Sequence, residues 1–225
     1  SGIFQVTAVT VTIGNDLNLE GGEFTPDNAS AVVNIGGDMN ISGGEYDHNN
    51  GDVNVTGNIA VTGGAFSLNG TSSTIDAGTV SLEGVSLTLS QGTWTTTGDY
   101  DLETGSSLTG NGAAINIGGT FNFNTGATAN FTGGSLSANS IYVGSGNELF
   151  INAVNLSSTG TMELDGTVTF NNSTGTKSVG SILVNATGNW NVTQPLNITV
   201  TGDITNNGTF TGDPGYGTSV YTLTS

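Results

Sequence analysis

Three aspartates that recur at one place in a repeated pattern are candidates for binding cations. Asp16, Asp38 and Asp203 each follow a corner glycine or asparagine, and Asn58 and Thr120 occupy the same place in other copies. If the copies stack, these side chains lie about 5 Å apart, where two carboxylates repel or share a cation such as Ca²⁺. Each side chain could instead close an Asx turn onto its own backbone. The calcium-binding pattern G-G-x-G-x-D is missing from the chain, which favours the turn and leaves Ca²⁺ as the weaker hypothesis.

The side chains that could catalyse a reaction are few. His48 is the single histidine and is predicted to be a solvated loop residue; one histidine supports neither a histidine-based metal site nor a credible Ser-His-Asp triad here. Asp99, Asp101 and Glu103 alternate, so all three would point outward from one strand, as carboxylates of a polysaccharide hydrolase do. A lyase also needs a base, and the only basic residue, Lys177, falls in a Ser/Thr/Gly-rich turn. The sequence therefore predicts no catalytic and no cofactor-binding residue, and a carbohydrate-active β-helix stays an alternative.

Aromatic side chains could stack on sugar rings. Trp94 and Trp190 are predicted to fill core or corner positions instead. Tyr100 and Tyr142 occupy outward phases of their strands and are the better exposed candidates, and Tyr216 is a further one. These residues make cell-surface glycans a candidate class of partner.

The charge balance excludes two classes of partner. Asp and Glu number 18 against a single Lys or Arg, which gives a formal net charge of −17. Binding to nucleic acid or to an anionic membrane surface requires many basic side chains. No run of about 18 apolar residues occurs, so membrane insertion by a helix is not expected. The first residues, SGIFQVTAVTVT, lack the features of a signal peptide, so we expect either a processed or an internal segment.

An internal repeat dominates the chain. VTIGNDLNLEGGEF from Val11, VNIGGDMNISGGEY from Val33 and VNVTGNIAVTGGAF from Val53 align with shifts of 22 and 20 residues. The same register returns later in the chain, near residues 115–123 and 198–204. The apolar positions that it predicts to line a core are Val11, Ile13, Leu17, Leu19, Phe24, Val33, Ile35, Met39, Ile41, Tyr46, Val53, Val55, Ile59, Val61, Phe66, Ile115, Ile117, Phe121, Phe123, Ile198, Val200 and Ile204.

The repeat predicts the fold class. Apolar and polar residues alternate with period two over three to five residues, and Gly-Asn, Gly-Gly or Gly-Asp pairs separate these short runs, as expected for strands joined by tight corners. One rung cannot bury its own apolar face, so stability must come from stacked neighbours. We predict an all-β, single-stranded parallel β-helix, or β-solenoid, of about ten rungs of roughly 20–22 residues. It would be one continuous unit over residues 1–225, with residues 1–10 as an N-terminal cap or linking strand.

Two groups of segments resemble known repeat families. GNDLNLEGG, GGDMNISGG and TGNIAVTGG resemble filamentous-haemagglutinin-like and autotransporter β-helices, over about residues 11–66. The phrases GTVTFNN, KSVGSILVN and ITNNGTFT, within about residues 160–213, resemble giant repetitive surface adhesins of Bacteroidetes-type bacteria. This resemblance implies a secreted or cell-surface stalk or filament, and it brings no catalytic residue with it.

The expected function is therefore that of an extracellular structural or adhesive solenoid. Its expected partners are like subunits or neighbouring repeats, joined end to end through unpaired strand edges. An ice-binding solenoid is a further alternative, which requires a flat T-x-T ladder. The pairs Thr10/Thr12, Thr95/Thr97 and Thr199/Thr201 do not recur at the repeat spacing.

Overall fold

The chain folds into one stack of parallel β-strands. The computed structural model describes residues 2–7, 10–26, 30–48, 51–68, 73–212 and 218–224. Within these residues there is no helix, and each strand pairs in parallel with a strand about one repeat away in sequence. This confirms the predicted β-solenoid, which has about ten turns.

The strands are short, except for two long ones in the middle of the chain. Their bounds are β1 Ile3–Val6, β2 Thr10–Ile13, β3 Leu17–Leu19, β4 Glu23–Pro26, β5 Val32–Ile35, β6 Met39–Ile41, β7 Glu45–His48, β8 Asp52–Val55, β9 Ile59–Val61, β10 Ala65–Leu68, β11 Thr74–Ala77, β12 Val80–Leu82, β13 Ser86–Leu89, β14 Thr93–Thr96, β15 Tyr100–Leu102, β16 Ser107–Phe123, β17 Thr128–Val143, β18 Glu148–Ile151, β19 Asn155–Ser158, β20 Thr161–Leu164, β21 Thr167–Phe170, β22 Lys177–Val179, β23 Ser181–Val184, β24 Asn189–Val192, β25 Asn197–Val200, β26 Ile204–Asn206, β27 Thr209–Thr211 and β28 Val220–Leu223.

The strands form three faces, and each rung passes through all three. Face A contains β2, β5, β8, β11, β14, β19, β22, β25 and β28; face B contains β3, β6, β9, β12, β15, β20, β23 and β26; face C contains β1, β4, β7, β10, β13, β18, β21, β24 and β27. The long strands β16 and β17 run through all three faces, with register shifts where they turn the corners.

The strand register is the one that the sequence alignment predicts. Val11 pairs with Val33, and Val33 pairs with Val53. From Val53 the column continues through β11 and β14 to Ile115, three rungs further on. The repeat in the sequence is therefore the physical rung of the stack.

Burial of the predicted core residues depends on their place in the stack. Val11, Ile13, Leu17, Leu19 and Ile204 are only partly buried, because they lie in terminal rungs with a stacked neighbour on one side. The remaining predicted core residues are buried: Phe24, Val33, Ile35, Met39, Ile41, Tyr46, Val53, Val55, Ile59, Val61, Phe66, Ile115, Ile117, Phe121, Phe123, Ile198 and Val200.

Two close approaches between rungs require glycine. Gly110 faces the ring of Phe131 in the next rung, and a Cβ at position 110 would collide with that ring. Gly134 has a φ of 76°, and a Cβ there would collide with the carbonyl oxygen of Ala113 in the preceding rung. A side chain at either position would force neighbouring rungs apart.

Candidate functional site

The predicted cation column is a ladder of hydrogen bonds at the corner between faces A and B. Asp16 Oδ1 accepts the backbone N–H of Asp38 at 2.9 Å, and Asp38 Oδ1 accepts that of Asn58 at 2.8 Å. In a later rung Asp99 Oδ1 accepts the N–H of Thr120 at 2.7 Å. For Asp16 and Asp38 the prediction of a turn closed onto the residue's own backbone is wrong, because these bonds cross to the next rung.

The ladder ends differently at the last aspartate. Asp203 donates its backbone N–H to Ser181 Oγ at 3.2 Å, so in this rung a serine supplies the acceptor. The described part of the chain holds no group of three or more His, Asp or Glu side chains placed to bind a metal ion. Ca²⁺ binding at Asp16, Asp38 and Asp203 stays a prediction, and the carboxylates of Asp16 and Asp38 already bind neighbouring amides.

The three acids proposed for a hydrolase do point outward, and two of them, Asp99 and Asp101, have structural partners. Asp99 belongs to the corner ladder. Asp101 Oδ1 accepts a bond from the side-chain amide of Asn122 in the next rung at 2.7 Å. Glu103 follows the end of β15, at the corner between faces B and C. The alternating acids are thus distributed over one corner, one face and the next corner.

His48 lies in the core, and its assignment as a solvated loop residue is wrong. It is the last residue of β7, its side chain is 0% exposed, and its ring centroid lies 6.0 Å from that of Tyr46. Burial lowers the pKa of His48, and the backbone of Gly51 and the carboxylates of Asp52 and Asp47 offset this only in part. The position was recognisable from the sequence, because His48 follows Tyr46 by two residues and therefore shares its inward phase.

Lys177 also lies in the core, so its prediction as a turn residue is wrong. It begins β22, occupies an inward position next to Leu156, and is 3% exposed. Its Nζ donates to the carbonyl oxygens of Thr174 at 2.6 Å and Gly175 at 3.2 Å. Burial lowers the pKa of Lys177. The ammonium group is thus held by backbone carbonyls on the inner side of a corner.

The structure separates the aromatic candidates into two groups. Trp94 and Trp190 are buried, as predicted. Tyr100 is buried as well, so its prediction as an exposed residue is wrong; it pairs with Val80 and Phe121 in an inward column of face B, and burial raises its pKa. The alignment would have shown this if it had been extended through β12. Tyr216 lies outside the described residues.

Tyr142 does lie on the outer surface. Its side chain is partly exposed on face B, and its hydroxyl donates to Asp165 Oδ2 at 2.9 Å. This bond and the negative charges nearby raise the pKa of Tyr142, which is therefore a neutral hydrogen-bond donor at physiological pH.

Apolar side chains are exposed at both ends of the stack. Ile3 and Phe4 in β1 are 72% and 59% exposed, and Val220 and Leu223 in β28 are 48% and 64% exposed. A recess of about 510 Å³ lies beside Ile3. Among the described strands, β1 pairs in parallel with β4 and lies at one end of the stack.

The fold defines the class of protein, a three-faced parallel β-solenoid. No protein-family model matches the chain, and comparison with curated proteins and with solved structures finds no significant similarity. Among the described residues, none belongs to a helix that could span a membrane.

Proposed function

We propose that this chain is an extracellular structural and adhesive solenoid, a rigid segment of a surface stalk or filament that joins further solenoid end to end. The observation that carries this proposal is that two apolar columns end in exposed or partly buried side chains at both ends of the stack: Phe4 and Leu223 are exposed, and Ile13 and Phe210 are partly buried. The family resemblance of the repeats supports the extracellular and adhesive part of the proposal.

The two ends match residue by residue. Phe4 begins a column of face C that passes through every rung to Phe210, so Phe4 of one copy would stack on Phe210 of another. The terminal rings already stack within the chain: Phe4 lies 5.3 Å from Phe24, and Phe210 lies 5.4 Å from Trp190.

Face A gives a second match. Ile13 and Leu223 are the two ends of one inward column, which passes through Ile35 and Val200. Among the described strands, the last one on face B is β26, which precedes β27 and β28 in the chain. The junction between copies would therefore be carried by faces A and C, where the apolar columns reach the two ends of the stack.

The polar groups support a scaffold more than a carbohydrate-active enzyme or an ice-binding surface. Asp99 and Asp101 bind amide groups of the next rung, and Lys177 binds carbonyls. Threonine pairs begin on face A at positions 10, 95 and 199, but they lie in widely separated rungs. Hydrogen bonds between rungs stiffen the stack along its axis, which is what a stalk requires.

Analytical ultracentrifugation of the chain, with electron microscopy of the same samples, tests the proposal. We expect the mean mass to rise over about a hundredfold range of concentration, with particles that lengthen along one axis. Phe4→Glu should reduce this association, because it places a charge in the junction. Thr88→Glu, which adds the same charge to an exposed position on face C, is the matched control and should associate like wild type. Both variants should keep the wild-type unfolding temperature.

A wild-type chain that stays monomeric over the whole range contradicts end-to-end joining. An equal loss of association in Phe4→Glu and Thr88→Glu would also contradict it, since it would locate the contact on the side of the solenoid and not at its end.

A further inference from the structure

A strip of side chains on the outer side of face B combines an aromatic ring with free hydrogen-bonding groups. It runs over four consecutive rungs, from the last part of β16 through β17 and β20 to β23, and its outward residues are Asn122, Tyr142, Glu163 and Leu183. Strand spacing makes the strip about 14 Å long. We propose that this strip binds a neutral oligosaccharide, with one sugar ring on the ring of Tyr142.

The Tyr142 ring is held in place before any ligand binds. Its hydroxyl donates to Asp165 Oδ2 at 2.9 Å, which fixes the outer end of the ring. A ring that is already fixed loses little conformational entropy on binding. Phe150 on face C, which is also outward and partly exposed, has no such anchor.

Two carboxylates near this ring have an oxygen atom that can still accept a hydrogen bond. Glu163 lies directly beside Tyr142 in the next rung, and its Oε1 accepts a bond from the side-chain amide of Asn185 at 3.0 Å. Among the described residues, Glu163 Oε2 and Asp165 Oδ1 accept no hydrogen bond, so both can accept one from a hydroxyl group. Both side chains are partly exposed.

Amide and apolar groups complete the strip. Asn122 lies on the other side of Tyr142 and uses one of its amide hydrogens on Asp101. Leu183 follows Glu163 and turns a partly buried apolar side chain outward. Along the strip, the amide of Asn122 is therefore followed by the ring of Tyr142, the acceptor Glu163 and the apolar side chain of Leu183.

This combination fits a sugar better than other small ligands. A pyranose has an apolar face of C–H groups, which packs on an aromatic ring, and a rim of hydroxyls, which donate to carboxylates and accept from amides. The carboxylates of Glu163 and Asp165 and the net charge of −17 repel uronic and sialic acids, so the ligand class is neutral. A flat strip binds one chain weakly, and repeated copies along a stalk would raise the avidity.

Saturation-transfer NMR with three neutral hexasaccharides, made of glucose, mannose and N-acetylglucosamine, tests the proposal, with hexagalacturonate as the charged probe. We expect transfer to at least one neutral probe and none to hexagalacturonate. Tyr142→Ala should weaken binding about tenfold or more. Tyr142→Phe keeps the ring but not its anchor and should fall between Tyr142→Ala and wild type. Phe150→Ala is the matched control and should bind like wild type.

Three outcomes overturn the proposal: no transfer to any neutral probe, equal binding by Tyr142→Ala and wild type, or equal binding of hexagalacturonate. The circular dichroism and the unfolding temperature of each variant show that it is folded. The result is independent of end-to-end joining. The strip lies on the side of the solenoid, so a single copy can bind the sugar without a second copy at either end.

Discussion

His48 places an ionisable ring in the core of the stack. The ring lies beside Tyr46, and burial lowers its pKa below the ordinary value of 6.5. The folded chain therefore holds a neutral imidazole under conditions in which an unfolded chain takes up a proton. The carboxylates of Asp47 and Asp52 moderate this effect without reversing it.

The free energy of unfolding should therefore decrease on mild acidification. As pH drops through about 6.5, the unfolded chain binds a proton that the folded chain does not, so the free energy of unfolding decreases, by at most about 1.4 kcal/mol per pH unit. Urea unfolding at several values between pH 7.5 and about pH 5 measures the slope. His48→Phe keeps an aromatic ring next to Tyr46 and should flatten the slope in this window. Equal slopes in the two proteins would contradict the prediction.

At the scale of the strand, the packing of neighbouring rungs sets which residues are tolerated. In β16 and β17 a glycine is matched to a large ring, since Gly110 faces Phe131. Elsewhere the rungs are joined by side chains, as in the bond from the Asn40 amide to Asn18 Oδ1 at 2.9 Å and the equivalent bond from Asn54 to Asn34 at 2.9 Å. Each strand is thus constrained by the residues of the neighbouring rungs as well as by its own sequence.

Gly110→Ala tests this dependence. The added methyl group would collide with Phe131, so we expect the free energy of unfolding to fall by about 1–3 kcal/mol. Gly14→Ala, at an exposed position where a Cβ would have nothing within 4 Å, should change stability by less than about 0.5 kcal/mol. Chemical denaturation of both variants gives the comparison. Phe131→Leu should restore part of the stability in the Gly110→Ala background, and strictly additive effects would show that the two sites are not coupled.

For the whole molecule, the net charge opposes association between copies and the apolar side chains at the ends favour it. A net charge of −17 repels like copies at long range, whereas the ends expose Phe4 and Leu223. Salt screens the repulsion, with a Debye length of about 30 Å at 0.01 M and about 3 Å at 1 M, and it does not weaken apolar contacts.

We therefore expect association to strengthen with ionic strength. Sedimentation at one protein concentration, in about 0.01 M to 0.5 M NaCl, should show the mean mass of the wild type rising with salt. Phe4→Glu should rise much less, because its junction stays polar after screening. A fall in mass with added salt would mean that ion pairs hold the copies together, against the apolar contact proposed above.

The sequence by itself determined the fold class, the length of the rung and the apolar columns of the regular rungs. Columns such as Val11, Val33 and Val53 are visible because burial of one strand face imposes period two, and stacking imposes a constant shift between rungs. Both signals are local or periodic, so a single sequence carries them. Tyr142 was placed on the outside by the same alternation.

Only the tertiary structure decided where the polar groups make their bonds. Asp16 and Asp38 bind amides of the next rung, and that choice between a residue's own turn and the next rung depends on atomic positions about 20 residues apart in sequence. The structure also places His48, Tyr100 and Lys177 in the core, although the strand phase of His48 and the column of Tyr100 were already present in the sequence. A polar side chain gives no composition signal of burial, and its inward position follows from the phase of its strand and from the neighbours that the stack supplies.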